Sequence, residues 1–309
     1  MRNRIGRLTA AGFRLRVLVG IAAVAALTLQ AAAPAAVPPP SLLPKSFVPI
    51  SEGPDGGIVW KGRIPDPAMP ALRRQSIVYL PPGVSAGVTY PVVYLLQGFH
   101  GGPLQFVSGL QIAAVADTAI TSGAVRPFIA VAAPAGLTVK YDGEWARPWE
   151  DYLVRDVVPW VDAHLPTVPA RGSRVLAGLS AGGYGAVDIG LRHRGMFGTL
   201  EAWSGYFEPF RDGPLRHAGA RELASHNPSL LVRREAPLLR ALGTRFFISC
   251  GEGDRKTDAH TVAFARALRA LGLAHELYLR PGAHNGRFWL SQLPEALRYA
   301  FPASLPIRT

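Results

Sequence analysis

The stretch Ser173–His193, which reads SRVLAGLSAGGYGAVDIGLRH, constrains the fold of this 309-residue chain more than any other. A short apolar run passes through Gly178–Gly182 into residues at helical spacing, which predicts a strand, a sharp turn and a helix with a serine at the turn. The small neighbours let the strand and the helix approach closely, so Ser180 would stand exposed as a nucleophile elbow. The alternative is a glycine-rich turn that holds an ordinary serine.

An exposed serine is a poor nucleophile unless the chain also supplies a base and an acid. Asp254 follows the end of a predicted strand, and the final predicted strand ends shortly before His284. The order Ser180, Asp254, His284 is that of α/β hydrolases, with the histidine as base and the aspartate as the acid that orients it. Glu252 and Asp258 follow the same strand as Asp254, so chain order alone leaves them as alternative acids.

A glycine-rich loop follows the predicted strand Val92–Leu96. Such a loop can turn a backbone N–H toward a reacting carbonyl, so the amides of Phe99 and Ala181 are the predicted oxyanion donors. A plain strand-to-helix turn is the alternative reading of this loop. The candidate substrate contacts are His100, Trp145 and Trp149. Core packing would explain the two tryptophans equally well.

Strand-like and helix-like runs alternate from residue 76 onward, which predicts an α/β protein with a mostly parallel central sheet and helices on both faces. The predicted strands are Ser76–Leu80, Val92–Leu96, Phe128–Ala132, Arg174–Ala177, Leu200–Trp203, Phe246–Cys250 and Glu276–Leu279, with an added edge strand at Gly57–Gly62. The predicted helices are Leu110–Ser122, Glu150–His164, Gly183–His193, Asp258–Leu271 and Phe288–Tyr299. Together with the order Ser180, Asp254, His284, this pattern predicts the α/β-hydrolase fold with a cap-like insertion.

The N-terminal residues predict a targeting segment. Five arginines precede the apolar stretch Val17–Leu29, and Ala33–Ala35 offers a small-residue cleavage site. The apolar run is short for a membrane span because Gln30 and a proline interrupt it. Residues 1–35 are therefore interpreted as a signal peptide of a secreted or extracytoplasmic protein. The alternative is an uncleaved anchor that associates the protein with a membrane or envelope.

Three further divisions of the chain are predicted. Residues 36–70 are rich in proline and are interpreted as a linker and edge segment. Residues 71–309 form the α/β-hydrolase domain. Within this domain the irregular segment 205–242, with four prolines, is predicted to form a cap of short helical pieces over the site.

Composition narrows the possible partners. Hydrophobic residues make up 49% of the chain and charged residues 17%, as expected of a packed globular domain. The net charge of +12 invites a nucleic-acid partner, but the basic residues outside the N-terminal segment are scattered and no nucleic-acid motif accompanies them. No nucleic acid is therefore predicted as a partner. Cys250 is the single cysteine, so no intramolecular disulfide can form, and it is predicted to be a buried strand residue.

With these residues placed, the chain resembles the esterase D and mycolyltransferase family of α/β hydrolases over about residues 76–294. The segments that carry the resemblance are Val78–Gly83, Pro91–Leu96, Trp149–Val154, Ala177–Ala186 and His284–Trp289. The resemblance implies a serine carboxylesterase or acyltransferase without a metal or organic cofactor. It implies Ser180 as nucleophile, His284 as base and Asp254 as acid, and a small-molecule, lipid or carbohydrate ester as substrate.

The chain departs from this family pattern after the strand that precedes the oxyanion loop. Esterase members commonly carry His-Gly there, whereas this chain has Gln97-Gly98 followed by His100. The sugar-binding acid and arginine of the mycolyltransferases would fall at Gln97 and His100. The sequence thus favours an exported serine esterase. Acyl transfer to an alcohol or sugar, and a catalytically silent envelope or binding protein, are the alternatives.

Overall fold

The computed structural model describes residues 42–67, 75–136 and 145–303. The predicted signal peptide and its alternative as an anchor lie outside these residues. Within the described ranges, the helices fall short of the length and apolar character needed to cross a membrane.

Nine strands of the described residues form one sheet in the order β1-β2-β3-β5-β4-β6-β7-β8-β9. The pairs from β1 to β3 and the pair β3/β5 are antiparallel, and all other neighbours are parallel. The strands are β1 Val48–Glu52, β2 Ile58–Gly62, β3 Ser76–Leu80, β4 Val92–Leu96, β5 Ile129–Ala132, β6 Arg174–Leu179, β7 Thr199–Trp203, β8 Arg245–Gly251 and β9 Ala274–Arg280. The mostly parallel sheet confirms the predicted fold class.

Helices cover both faces of the sheet. They are α1 Ile112–Thr121, α2 Pro148–Asp151, α3 Val158–His164, α4 Ala181–Arg192, α5 Ala220–Ser225, α6 Pro228–Ala241, α7 Asp258–Ala270 and α8 Gly286–Ala300. On one face, α1 and α8 pack against Val93, Ala177 and Phe247 of the strands. On the other face, the larger core includes residues of α3, α4, α6 and α7. Alternate residues of the central strands enter the two cores, as the period of two in a strand requires.

The folded domain begins before the predicted boundary at residue 71. Strands β1 and β2 form an antiparallel pair, and β2, which lies at the predicted edge strand Gly57–Gly62, pairs with β3, so much of the predicted linker and edge segment belongs to the sheet. The carboxylate of the buried Asp117 holds the turn between these strands, because its Oδ2 atom accepts hydrogen bonds from the amides of Asp55 and Gly57, each at 3.0 Å. Strand β1 escaped prediction because it is an exposed edge strand containing Pro49, which such a position tolerates.

The predicted cap segment 205–242 is only in part irregular. Its second half forms the 14-residue helix α6, which packs Leu231, Val232 and Leu239 into the core beside α4. Pro228 occupies the first helical turn, where no N–H donor is needed, whereas Pro237 lies inside the helix. The side chain of Asn227 caps the helix by accepting from the amide of Leu230.

The predicted helix Glu150–His164 begins earlier, at Pro148, and changes its winding. A π-helical turn at Tyr152–Val157 lies between α2 and α3. Pro159 sits in the first turn of α3 and has no N–H to donate to the preceding turn, which accounts for the altered hydrogen bonding there.

Candidate active site

The elbow after β6 holds Ser180 in a conformation that few residues other than glycine adopt. The backbone angles of Ser180 are φ 55° and ψ −119°, and its amide donates to the carbonyl of Trp203 at 2.8 Å. The carbonyl of Ser180 accepts from the amide of Tyr184 at 3.1 Å, which closes the first turn of α4. Strain at such a position persists only when surrounding contacts enforce it. The strand, the turn and the helix occur where the sequence predicts them.

Small residues around the elbow are required by close backbone approach. A Cβ atom on Gly182 would collide with the carbonyl oxygen of Leu96 at the end of β4. A Cβ atom on Gly178 would likewise meet the backbone of Gly182, and one on Gly98 would lie 3.2 Å from the Cβ of Ser180. The helix α4 can therefore sit against β4 and β6 only when these positions lack side chains.

His284 lies in the loop after β9, at the same edge of the sheet as Ser180. Its Nε2 atom is 2.9 Å from the Oγ atom of Ser180, within hydrogen-bond distance for proton transfer. The imidazole ring also meets the indole of Trp289 edge-on, with the ring centroids 5.1 Å apart. The indole N–H donates to Ser204 Oγ at 3.1 Å, and this hydrogen bond holds the Trp289 ring against the imidazole.

Asp254 lies after β8 and contacts the far side of the imidazole. Its Oδ2 atom is 2.7 Å from His284 Nδ1 and accepts from Thr257 Oγ1 at 2.8 Å. Burial by itself would raise the pKa of the Asp254 carboxyl, but the hydrogen bonds from Thr257, His284 and Ser204 outweigh it and lower the pKa. An ionised carboxylate at this position can orient an imidazole and stabilise its protonated form.

The loops that carry Asp254 and His284 are held together by backbone hydrogen bonds. The amide of Gly253 donates to the carbonyl of Gly282 at 2.8 Å, and the amide of Glu252 donates to the carbonyl of Arg280 at 2.8 Å. A Cβ atom on Gly251 would lie 2.5 Å from the carbonyl carbon of Gly282, so only glycine allows this approach. The two loops are therefore fixed relative to each other before any side chain contributes.

The two alternative acids lie elsewhere. Glu252 is exposed, directly after the strand. Asp258 begins α7, where its Oδ1 atom accepts from the amide of Ala259 at 2.6 Å. Of the three carboxylates after β8, Asp254 is the one in contact with His284.

A cavity of about 420 Å³ opens beside Ser180. Phe99 and Ala181, the candidate oxyanion donors, both line it, as does His284. The remaining described residues on its wall are Tyr206, Phe210, Asp212, Lys256 and Thr257. The aromatic rings of Tyr206 and Phe210 pack against each other with centroids 4.6 Å apart. An apolar group of a bound molecule could therefore lie in the same cavity as Ser180.

The three candidate substrate contacts, Trp145, Trp149 and His100, lie outside the described lining of this cavity. Trp145 and Trp149 are both buried in the larger core, and neither lines the cavity, so the structure assigns them to packing. The indole N–H of Trp145 donates to the carbonyl of Gln97 at 3.0 Å and thereby supports the loop that carries Phe99. His100 is exposed and its ring packs on Phe99 with centroids 3.6 Å apart, outside the described lining of the cavity.

Several residues of the site carry little sequence signal. Thr257 follows Asp254 by three positions, a spacing common in tight turns, and this is the one cue that could have revealed it. Tyr206 and Phe210 lie in the irregular start of the segment after β7, where no periodicity identifies an inward-facing side chain. Cys250 is buried in β8 as predicted, and burial raises the pKa of its thiol. No cluster of metal-ligating side chains occurs among the described residues.

Comparison of the sequence with models of known protein families shows to which family the chain belongs. Residues 69–300 match the model of the family described as "Putative esterase". The chain belongs to this esterase family. The match extends from before the loop that holds Phe99 to the helix after His284, and it agrees with the resemblance read from the sequence.

The individual relatives and solved structures that resemble this esterase family member share no more than about a third of its residues in the matched regions. An esterase of Mycobacterium tuberculosis (strain ATCC 25618 / H37Rv) is 30% identical over 39% of this chain, and the match spans 26% of that relative's length. The MPT51/MPB51 antigen of the same strain is 28% identical over 63% of this chain and 70% of the antigen. A solved ferulic acid esterase has a TM-score of 0.66 and 24% identity, covering 74% of this chain and 92% of that one. Such structural likeness establishes the α/β-hydrolase-type fold.

Proposed function

We propose that this protein hydrolyses carboxylic esters through an acyl-enzyme formed on Ser180. The observation that carries the proposal is the connected series Ser180 Oγ, His284 Nε2, His284 Nδ1 and Asp254 Oδ2, with separations of 2.9 and 2.7 Å. Membership of the esterase family supports the same reaction. A nucleophile, a base and an orienting acid at these distances are what acyl transfer by serine requires.

In the first half-reaction, His284 Nε2 takes the proton of Ser180 while Oγ attacks the carbonyl carbon of the ester. The negative charge that develops on the carbonyl oxygen would be stabilised by the amides of Phe99 and Ala181. The protonated imidazole, held by Asp254, then gives its proton to the leaving alcohol as the ester C–O bond breaks. The acyl group remains on Ser180 Oγ.

In the second half-reaction, water takes the place of the alcohol. His284 removes one proton from the water, the resulting oxygen attacks the acyl carbonyl, and the proton passes to Ser180 Oγ as the acyl–enzyme bond breaks. The products are the free carboxylic acid and the original enzyme. Each step conserves the charge and the protons of the site.

An apolar or aromatic acyl group fits the proposed site best. Phe99, Tyr206 and Phe210 present aromatic surface to the cavity, and Phe210 remains 53% exposed. Among the similar solved structures, several are named as ferulic acid esterases, whose name refers to an aromatic acid. Transfer to a sugar has less support. Gln97 stands where the mycolyltransferases would have a sugar-binding acid, but it is fully buried and its amide donates to the carbonyl of Ala135.

Two measurements test the proposal. A fluorophosphonate probe is expected to label the wild-type protein at Ser180, and the Ser180→Ala variant is expected to lose both the label and ester hydrolysis. A panel of esters, assayed with and without alcohol acceptors, should yield free acid in preference to transferred product. Labelling that persists in Ser180→Ala contradicts the nucleophile, and transferred product as the main outcome favours an acyltransferase.

We also propose that the protein is exported, on the basis of the N-terminal sequence. N-terminal sequencing of extracytoplasmic material should find a chain that begins near Ala36. A full-length, membrane-retained chain that begins at Met1 would favour the uncleaved anchor instead.

A further inference from the structure

The cavity beside Ser180 carries an ammonium group that ester hydrolysis does not require. Lys256 lines the cavity together with Ser180 and His284. Among the residues that the structure describes, no carboxylate lies within 4.0 Å of its ammonium nitrogen. Asp212 lines the same cavity but is engaged by interactions within the chain. A positive charge is thus available to a bound molecule.

The backbone of Lys256 belongs to the same turn as Asp254, the candidate acid. The amide of Lys256 donates to Asp254 Oδ1 at 3.2 Å, and the amides of Thr257 and Asp258 donate to the carbonyl of Asp254. The turn that holds the candidate acid therefore also fixes the Cα of Lys256 beside the cavity.

Two kinds of surface meet in the cavity. Phe99, Tyr206 and Phe210 contribute aromatic surface, whereas Lys256 contributes a cation. An ammonium group forms charge-assisted hydrogen bonds with carboxylate oxygens, and these are stronger than hydrogen bonds between neutral groups. A neutral ester offers the ammonium group no such negatively charged partner.

We propose that Lys256 is a specificity-determining residue that selects esters bearing a carboxylate in addition to the scissile ester bond. The proposal rests on the esterase function proposed above and names its substrate class. The apolar part of the ester lies against the aromatic wall and the carboxylate meets Lys256. The carboxylate can belong to the alcohol or to the acyl part of the ester.

Two matched pairs of esters test this and separate the two positions of the charge. The first pair, carboxymethyl and carbamoylmethyl 3-phenylpropanoate, differs in charge on the alcohol part. The second pair, methyl 3-(4-carboxyphenyl)propanoate and its 4-carbamoyl analogue, differs in charge on the acyl part. We expect the wild-type kcat/KM to favour the anionic member of one pair by about tenfold, mainly through KM, since a hydrogen bond to a charged group contributes enough for such a ratio. Added salt should lower this preference.

Variants then assign the preference to Lys256. Lys256→Gln should reduce the anionic-to-neutral ratio of kcat/KM about tenfold, and Lys256→Arg should retain part of it. Lys45→Gln is the matched control, because Lys45 is also exposed but does not line the cavity, and its ratio should equal that of the wild type. A wild-type ratio near one in both pairs, or a ratio unchanged in Lys256→Gln, overturns the inference while leaving the esterase proposal intact. Failure of the wild type to hydrolyse any ester overturns both.

Discussion

The Nε2 atom of His284 lies 2.9 Å from the Oγ atom of Ser180, although 104 positions separate the two residues. They follow β9 and β6, and β7 and β8 lie between these strands in the sheet. Parallel strands end at one edge of a sheet, but each neighbour adds about 4.8 Å, so the loop after β9 must reach across three strand spacings. Backbone hydrogen bonds to the loop after β8 hold the loop after β9 in place.

Replacement of the candidate acid should disable catalysis without unfolding the protein. In Asp254→Asn the amide can no longer hold the imidazole in the tautomer that accepts a proton from Ser180, so kcat is expected to fall by up to about 10⁴-fold. Glu252→Gln is the control, because Glu252 is exposed after the same strand and its kcat should stay near the wild-type value. Steady-state kinetics on one ester, with circular dichroism to verify folding, decide the matter. A crippled Glu252→Gln beside an active Asp254→Asn would mean that the wrong carboxylate is assigned.

The hydroxyl of Thr257 should matter for catalysis through Asp254. Thr257→Val removes the 2.8 Å hydrogen bond to Oδ2 while keeping the shape of the side chain, and a hydrogen bond to a charged group contributes about 1.5–3 kcal/mol. We expect kcat to fall about tenfold or more on this basis. Thr257→Ser keeps the hydroxyl and should restore most of the activity. Equal activities of the valine and serine variants would show that the hydroxyl has no such role.

The close approach of α4 to β4 predicts a steep stability cost at Gly182. The Cβ atom of Gly182→Ala would collide with the carbonyl oxygen of Leu96, so we expect the free energy of unfolding to fall by about 3 kcal/mol or more. Gly195→Ala is the matched control, because open space surrounds that position and the change should stay within about 0.5 kcal/mol. Urea denaturation measures both. Similar unfolding midpoints for the two variants would contradict the packing argument.

The buried carboxyl of Glu201 should make stability depend on pH. Burial raises the pKa of Glu201 to about 8, although a hydrogen bond from Trp203 and the nearby Arg245 oppose the shift. Glutamate in the unfolded chain ionises near pH 4.3, so at higher pH the unfolded state loses a proton that the native state keeps. This contribution to stability is complete below the unfolded pKa. It declines as pH rises toward 8, by up to about 1.4 kcal/mol per pH unit.

Glu201→Gln removes this titration and tests the sign. The Tm of the variant relative to the wild type should rise between pH 5 and pH 8. Glu208→Gln, at an exposed position, should show the same small difference at both pH values. A Tm difference for Glu201→Gln that does not change with pH would show that the buried carboxyl titrates normally.

Much of the site was predictable because its signals are local. The strand, turn and helix around Ser180 fall within about twenty residues, and the glycines there report close approaches that the structure realises at Gly178 and Gly182. The order of the candidate nucleophile, acid and base follows from the order of the strands. These features are encoded by short-range patterns, in which composition and spacing dictate backbone geometry.

Other features depended on contacts between distant parts of the chain. The choice of Asp254 over Glu252 follows from which carboxylate the turn after β8 directs toward His284, and chain order contains no such information. An aromatic residue in a loop gives the same local signal whether it packs inward or lines a cavity. Only the tertiary structure buries Trp145 in the core and brings Tyr206 to the cavity, because burial is decided by the neighbours that folding supplies.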